Sequence, residues 1–178
     1  FIKIQSSSYQ LTRITSWISN ISNPLGSSYQ IKQSLIGLGL GGISGTGPGT
    51  SKQKFFFLPD SHTDFVFSIL GEEFGFIGTS IVLFLFLIIL WRGIYIAKRA
   101  PNTFGKYLAV GLTMNLVLYG FINVAVVTML VPTTGIPIPF ISYGGSSLLF
   151  SGIAVGLLLN ISRYRYHSLL NSRLEQLQ

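Results

Sequence analysis

The residues able to do acid–base chemistry in this 178-residue chain are gathered in one place. Of five acids, Asp60, Asp64, Glu72 and Glu73 fall within "LPDSHTDFVFSILGEEFGF" (58–76), with His62 beside them. The fifth, Glu175, lies near the far end. One carboxylate is enough for general-base work, because it need only take a proton as a hydroxyl attacks. Other chemistries fit less well. Ser61, His62 and Asp64 sit within four residues. Triad members must converge in hydrogen-bond geometry, and three groups this close at a helix start mostly point apart. The chain has no cysteine, and no second histidine lies nearby, so thiolate chemistry and a His-ligated metal site are not indicated. The structural alternative for Asp64 is capping. Ser61-x-x-Asp64 before an apolar run resembles a capping box, and an acid in the first turn suits the helix dipole. For Glu72 and Glu73 the expectation is solvation at an interface.

A second feature is "PTTGIPIPFISYGGSS" (132–147), which holds three prolines and three glycines without a charge. It reads either as a breaker-rich loop or as non-helical backbone at membrane depth. The latter is tolerated only where it is buried in protein or lines a cavity. Its hydroxyls and backbone groups, including Ser142, Gly144 and Gly145, suit such a lining. Two further matches carry little. Gly37, Gly39 and Gly42 fit G-x-G-x-x-G, but no βαβ unit surrounds them, and "GTGPGTSK" has Ser51 where a phosphate loop needs glycine. The sequons at Asn20 and Asn160 are read as chance.

The elements that must position these groups are set by hydropathy. Mean hydropathy is +0.56 and charged residues make up 10% of the chain. None stands between Lys106 and Arg163. Apolar runs beyond about 18 residues are read as membrane-spanning. The pattern predicts an all-α integral membrane protein. Its spans are expected at 74–96, 107–130 and 146–164, joined by a basic connector (97–106) and the Pro/Gly loop (131–145), with a tail at 165–178. Residues 1–73 form a polar region with a short interfacial helix near 29–42 and flexible loop at 41–51. Arg92, Lys98, Arg99 and Lys106 flank the first connector, and Arg163, Arg165 and Arg173 follow the last span. The bias of Lys and Arg toward the cytoplasm puts these inside and the Pro/Gly loop outside. The acid cluster then lies outside as well. Lys3, Arg13, Lys32, Lys52 and Lys54 share that region. Long loops translocate largely regardless of charge, and such a basic loop attracts anionic ligands.

"QSLIGLGLGG", "GTGPGTSKQKFFFLPDSHTDFVFSILGEEFGFIG" and "PTTGIPIPFISYGGSSLL" together resemble the SEDS family (shape, elongation, division and sporulation), which includes FtsW, RodA and SpoVE. The likeness runs over about residues 9–162, and the loop motif is closer to FtsW than to RodA. It implies the last three helices and large outer loop of a roughly ten-helix plasma-membrane protein, hence a fragment inactive alone. The implied activity is a peptidoglycan glycosyltransferase that polymerises lipid II, a disaccharide-pentapeptide on undecaprenyl pyrophosphate. The implied partners are a class B penicillin-binding protein, membrane lipids and other divisome or elongasome proteins, with no nucleic acid. The family's essential acid falls on Asp64. His62, Lys52, Lys54, Ser142, Gly144 and Gly145 are then candidate substrate contacts. A divalent cation is the alternative to lysine at the leaving pyrophosphate. The sequence departs from the family at Asp60 (usually Glu), at Met129 (usually Gly), and near "YGFINV", where Gln is common. A lipid II flippase and a non-enzymatic scaffold that activates a penicillin-binding protein are the other readings of the same motifs.

Overall fold

The computed structural model describes Ile14, Thr15, Trp17, Ile18, residues 29–53 and residues 63–175, with side chains of the last helix to Arg163. Lys54, Asp60, His62 and Arg13 lie outside the described residues. Among the described residues four helices have both ends defined and there is no strand: α1 (Tyr29–Gly41), α2 (Val66–Lys98), α3 (Thr103–Val127) and α4 (Gly145–Glu175); Ile14, Thr15, Trp17 and Ile18 are helical as well. Three are long and apolar enough to cross a membrane: α2, α3 and the Gly145–Arg163 part of α4. Many large apolar side chains on them are exposed, among them Phe76, Ile81, Phe84 and Trp91 on α2 and Phe150 and Leu159 on α4. Arg99 stacks over the Tyr95 ring and donates to its hydroxyl, and Arg92 lies over Trp91. Such cation–aromatic pairs suit the interface at which a span ends.

α2 and α3 are antiparallel neighbours whose contact is built on small residues. A Cβ placed on Gly93 would lie 2.0 Å from Thr113 Oγ1, and one placed on Gly120 would lie 2.8 Å from the Phe86 ring. The step from Phe86 to Gly93 on one helix thus matches the step from Gly120 back to Thr113 on the other. In both cases it is one heptad, the repeat that keeps one seam facing a partner. Small residues that let backbones approach replace hydrophobic driving force where the surroundings are lipid.

α1 lies against the beginning of α2. Its buried stripe is Ile31, Ser34, Gly37 and Gly41. A Cβ on Gly41 would lie 1.9 Å from the Gly71 carbonyl oxygen. Ser68 Oγ donates to Ser34 O at 2.7 Å, and Ser34 Oγ donates to Val127 O at 3.2 Å. One serine pair therefore ties α1 to both long helices.

The start of α2 corrects the expectation from sequence. Helix begins at Val66 rather than 74, and Phe67, Ser68, Ile69, Gly71 and Glu72 are buried in it. The helix is interrupted at Gly75, whose φ of 65° and ψ of −162° are not helical. A break of this kind frees the carbonyls before it and the amides after it, and at membrane depth each needs a partner. The segment 42–47 supplies all four. Phe76 N donates to Gly42 O (2.9 Å) and Ile77 N to Ile43 O (3.2 Å), while Thr46 N reaches Glu72 O (2.9 Å) and Gly47 N reaches Glu73 O (3.0 Å). The glycine-rich segment expected as flexible loop is therefore pinned into the helix break. Glycine is required on both sides, since a Cβ on Gly45 would stand 2.1 Å from Glu73 O and one on Gly75 2.4 Å from Gly45 N.

Candidate functional site

Asp64 lies in a turn just ahead of α2 and is half-buried. The N-cap position is Phe65, which makes no side-chain cap bond, and the first helical turn carries no acid. The box expected with Asp64 as its third helical residue does not form, because the helix starts at Val66, after Asp64. Asp64 belongs to the turn, and what holds it comes from elsewhere in the chain.

Two side chains from distant elements grip the backbone of this turn. Ser142 Oγ donates to Thr63 O at 2.6 Å, and Asn123 Nδ2 donates to Asp64 O at 2.8 Å. Each also secures the Pro/Gly loop: Ser142 Oγ accepts from Ile138 N (2.9 Å), and Asn123 Nδ2 donates to Ile136 O (2.7 Å). The two motifs singled out from sequence thus meet in space. Gly135 lies beside the carboxylate, for a Cβ placed on it would lie 3.5 Å from Asp64 Oδ2. Its φ of 71° also favours glycine. Ile138 and Pro139 beneath the loop are almost fully buried, and Ile138 joins Phe65, Phe67, Phe86 and Val127 in one apolar cluster. Irregular backbone at 138–139 is therefore buried in protein, the arrangement that non-helical backbone within a membrane requires.

The remaining candidates fall as follows. The Ser142 hydroxyl is engaged by backbone on both sides. Gly144 accepts from Leu148 N (2.9 Å) at the start of α4, and Gly145 is exposed as that helix's first residue. Lys52 is exposed, and Lys32 on α1 is half-buried. Among the described residues no group of three His, Cys, Asp or Glu is placed to hold a metal ion.

Two residues went unrecognised in the sequence. Asn123, in the middle of an apolar run, is 2% exposed and carries the contacts above. Glu72, expected to be solvated, is 1% exposed. Its carboxylate accepts from Ser51 Oγ (2.5 Å), Lys52 N (3.0 Å) and Gln53 N (3.3 Å). These donors return from about 20 residues upstream, which is why the surrounding sequence gave no sign of burial. Glu73 is half-buried.

Three apolar spans and a polar turn held at the end of one of them define a multi-pass membrane protein. The cell cycle protein family of FtsW, RodA and SpoVE matches residues 1–167, and the chain belongs to that family. It is 52% identical over 161 residues to stage V sporulation protein E of Bacillus subtilis (strain 168), covering 90% of this chain and 44% of that protein. It is 49% identical over 154 residues to the "Probable peptidoglycan glycosyltransferase FtsW" of Geobacter sp. (strain M18), covering 86% and 42%. The FtsW of the same name from Coxiella burnetii (strain RSA 493 / Nine Mile phase I) is 45% identical over 159 residues, covering 88% and 43%. Among solved structures, a chain of a peptidoglycan synthase complex, one described as coordinating polymerization and crosslinking, superposes with a TM-score of 0.68 at 30% identity. That match covers 89% of this chain and 43% of the other. The chain thus spans somewhat over two-fifths of the length of these relatives.

Proposed function

We propose that the whole protein to which these helices belong is a peptidoglycan glycosyltransferase that polymerises lipid II, with Asp64 as its general base. The observation that carries this reading is the gripped turn: Thr63 and Asp64 are held by Ser142 and Asn123, and Gly135 lies beside the carboxylate. Relatives named as peptidoglycan glycosyltransferases support the reaction class.

In this scheme the acceptor is a sugar hydroxyl, a poor nucleophile until its proton is removed. The Asp64 carboxylate takes that proton as the oxygen attacks the anomeric carbon of the donor. The new glycosidic bond forms as the bond to the polyprenyl pyrophosphate breaks, and the pyrophosphate leaves with the electron pair. One base on the face opposite the leaving group suffices for inversion, as in inverting hydrolases. Charge developing on the pyrophosphate needs a cation aimed at it. Lys52 and Lys54 are the candidates in this chain, with His62 as a substrate contact or an orienting group for Asp64. A divalent cation brought with the substrate is the alternative, and titration with magnesium and with a chelator separates the two.

The site belongs on the extracytoplasmic face, because the basic connector between α2 and α3 marks the opposite end of those helices. The partner in this reading is a class B penicillin-binding protein within the divisome or elongasome. The test is polymerisation of lipid II by the full-length protein reconstituted with that partner. Asp64→Asn keeps size and hydrogen-bonding capacity and is expected to slow polymerisation by about 10²–10⁴-fold. Normal glycan synthesis by the variant would remove the base from Asp64. Lipid II crossing the bilayer with no polymer from the wild type would favour transport instead.

A further inference from the structure

A carboxylate on a non-helical turn is not held by helix geometry, and a base displaced by about 1 Å costs on the order of 10²-fold in rate. Something must fix Asp64. Asn123 touches both walls of its site, as Ser142 does, but its bond falls on Asp64 itself. The same amide nitrogen donates to the carbonyl of Asp64 and to that of Ile136, next in sequence to the Gly135 that lies against the carboxylate. The orientation of the amide is forced, since reversing it would set Oδ1 against two carbonyl oxygens. In this orientation Oδ1 is buried with no partner. A buried acceptor left unsatisfied is costly, so stability alone does not account for the choice of residue.

No other side chain of this size does the same. Leucine has no donor, serine has one, and an ionised aspartate has none. We infer that Asn123 is a positioning residue for the proposed base, holding the Asp64 turn and the 135–136 backbone at one fixed separation. This rests on the reading of Asp64 given above. Asn123 makes no bond of its own to the reacting groups in this assignment. Its effect is transmitted through the Asp64 carbonyl, and through Ile136 to the neighbouring glycine.

The test uses the full-length protein reconstituted with its penicillin-binding partner and lipid II. Asn123→Leu keeps the branched four-atom shape, with somewhat greater volume, and removes both donors. It is expected to lower kcat by about 10–100-fold, in keeping with the cost of misplacing a catalytic group, with KM for lipid II within about twofold of wild type. Thermal melting is expected to fall modestly, because the Asp64 and Ile136 carbonyls lose their donor, while partner binding stays close to wild type. If leucine does not fold, Asn123→Ala, which can only leave space, is expected to give the same split between kcat and KM. The Asp64→Asn background supplies the second readout. There the change at Asn123 is expected to cost nothing more, because a group that acts through another loses its effect when that other is gone. An unchanged kcat, a loss confined to KM, or a further full loss in the Asp64→Asn background would overturn the inference, and so would failure of both variants to fold. Those outcomes leave the base reading standing, which falls only if Asp64→Asn alone polymerises normally.

Discussion

The Glu72 carboxylate accepts the Ser51 hydroxyl at 2.5 Å, joining the start of the first span to a segment 21 residues upstream. The amides of Lys52 and Gln53 share that acceptor, and the Glu72 carbonyl takes the amide and the hydroxyl of Thr46. One residue thus anchors the glycine-rich segment through both side chain and main chain, and it fixes the backbone of Lys52.

Glu72→Ala would take their shared carboxylate from three donors, two of which, at Ser51 and Gln53, are on buried residues. Hydrogen bonds to charged groups contribute about 1.5–3 kcal/mol each, and orphaned donors add a desolvation cost. The expected loss of stability is about 3 kcal/mol or more, read as a lowered Tm in detergent. Proteolysis between Thr46 and Lys52 should quicken markedly. Glu72→Gln, which keeps one acceptor oxygen, is expected to lose less. Wild-type proteolysis of the alanine variant would show that the segment is held by its backbone bonds alone.

The glycines of α1 make opposite predictions within three positions. Gly39 is exposed, and a Cβ there meets nothing within 4 Å. A Cβ on Gly41 would strike the backbone of Gly71 at 1.9 Å. Gly39→Ala is therefore expected to raise stability by up to about 1 kcal/mol through helix propensity. Gly41→Ala should separate α1 from α2 and cost about 1–3 kcal/mol, the range for an overpacked contact. Paired thermal melts check both. Equal effects at the two positions would contradict the close approach of α1 to α2.

What the sequence revealed and what it hid follow from the range of the interactions involved. The spans were legible because apolar runs report burial in lipid without reference to a partner. The acid turn and the Pro/Gly loop were legible as local patterns. Their junction was not, because it depends on two polar side chains whose partners lie far off in sequence. Asn115 and Asn123 stand in the same apolar run, yet only Asn123 is buried. An intramembrane polar residue is a functional signal by default, but composition cannot say which of two asparagines faces inward. The true start of α2 was hidden by a similar effect. Glu72 and Glu73 mark an interface when judged alone, and only the return of residues 42–53 shows that helix continues above them.

Topology is open to direct measurement because the chain has no cysteine of its own. Asn102, between α2 and α3, and Thr134, in the loop after α3, are both exposed. In otherwise cysteine-free full-length protein, Thr134→Cys is expected to react with a membrane-impermeant maleimide added to intact cells. Asn102→Cys should react only after the membrane is opened. The reverse pattern would put the Asp64 turn on the cytoplasmic side and end the proposed role in external glycan synthesis.

The end of α3 carries a strained residue that the structure explains. Thr128 is the C-cap, and Met129 follows it with φ of 65°. Met129 N donates to Val126 O (3.0 Å) and Leu130 N to Ala125 O (2.8 Å), the paired bonds of a left-handed helix terminus. That terminus favours glycine, and glycine is what the sequence resemblance leads one to expect where Met129 stands. The Met129 carbonyl is held from outside the helix by Trp17 Nε1 at 3.1 Å, so the turn keeps its shape despite the side chain. A non-glycine residue in this region costs on the order of 1 kcal/mol or more. Glycine loses more freedom on folding, which offsets part of that gain. Met129→Gly is therefore expected to stabilise the protein by about 0.5–1 kcal/mol, as a modest rise in Tm with polymerisation unchanged. Met129→Val should do the opposite, since a β-branched side chain tolerates positive φ least. If valine were accommodated as easily as glycine, the turn would not have the backbone shape that carries the chain from α3 into the loop beside Asp64.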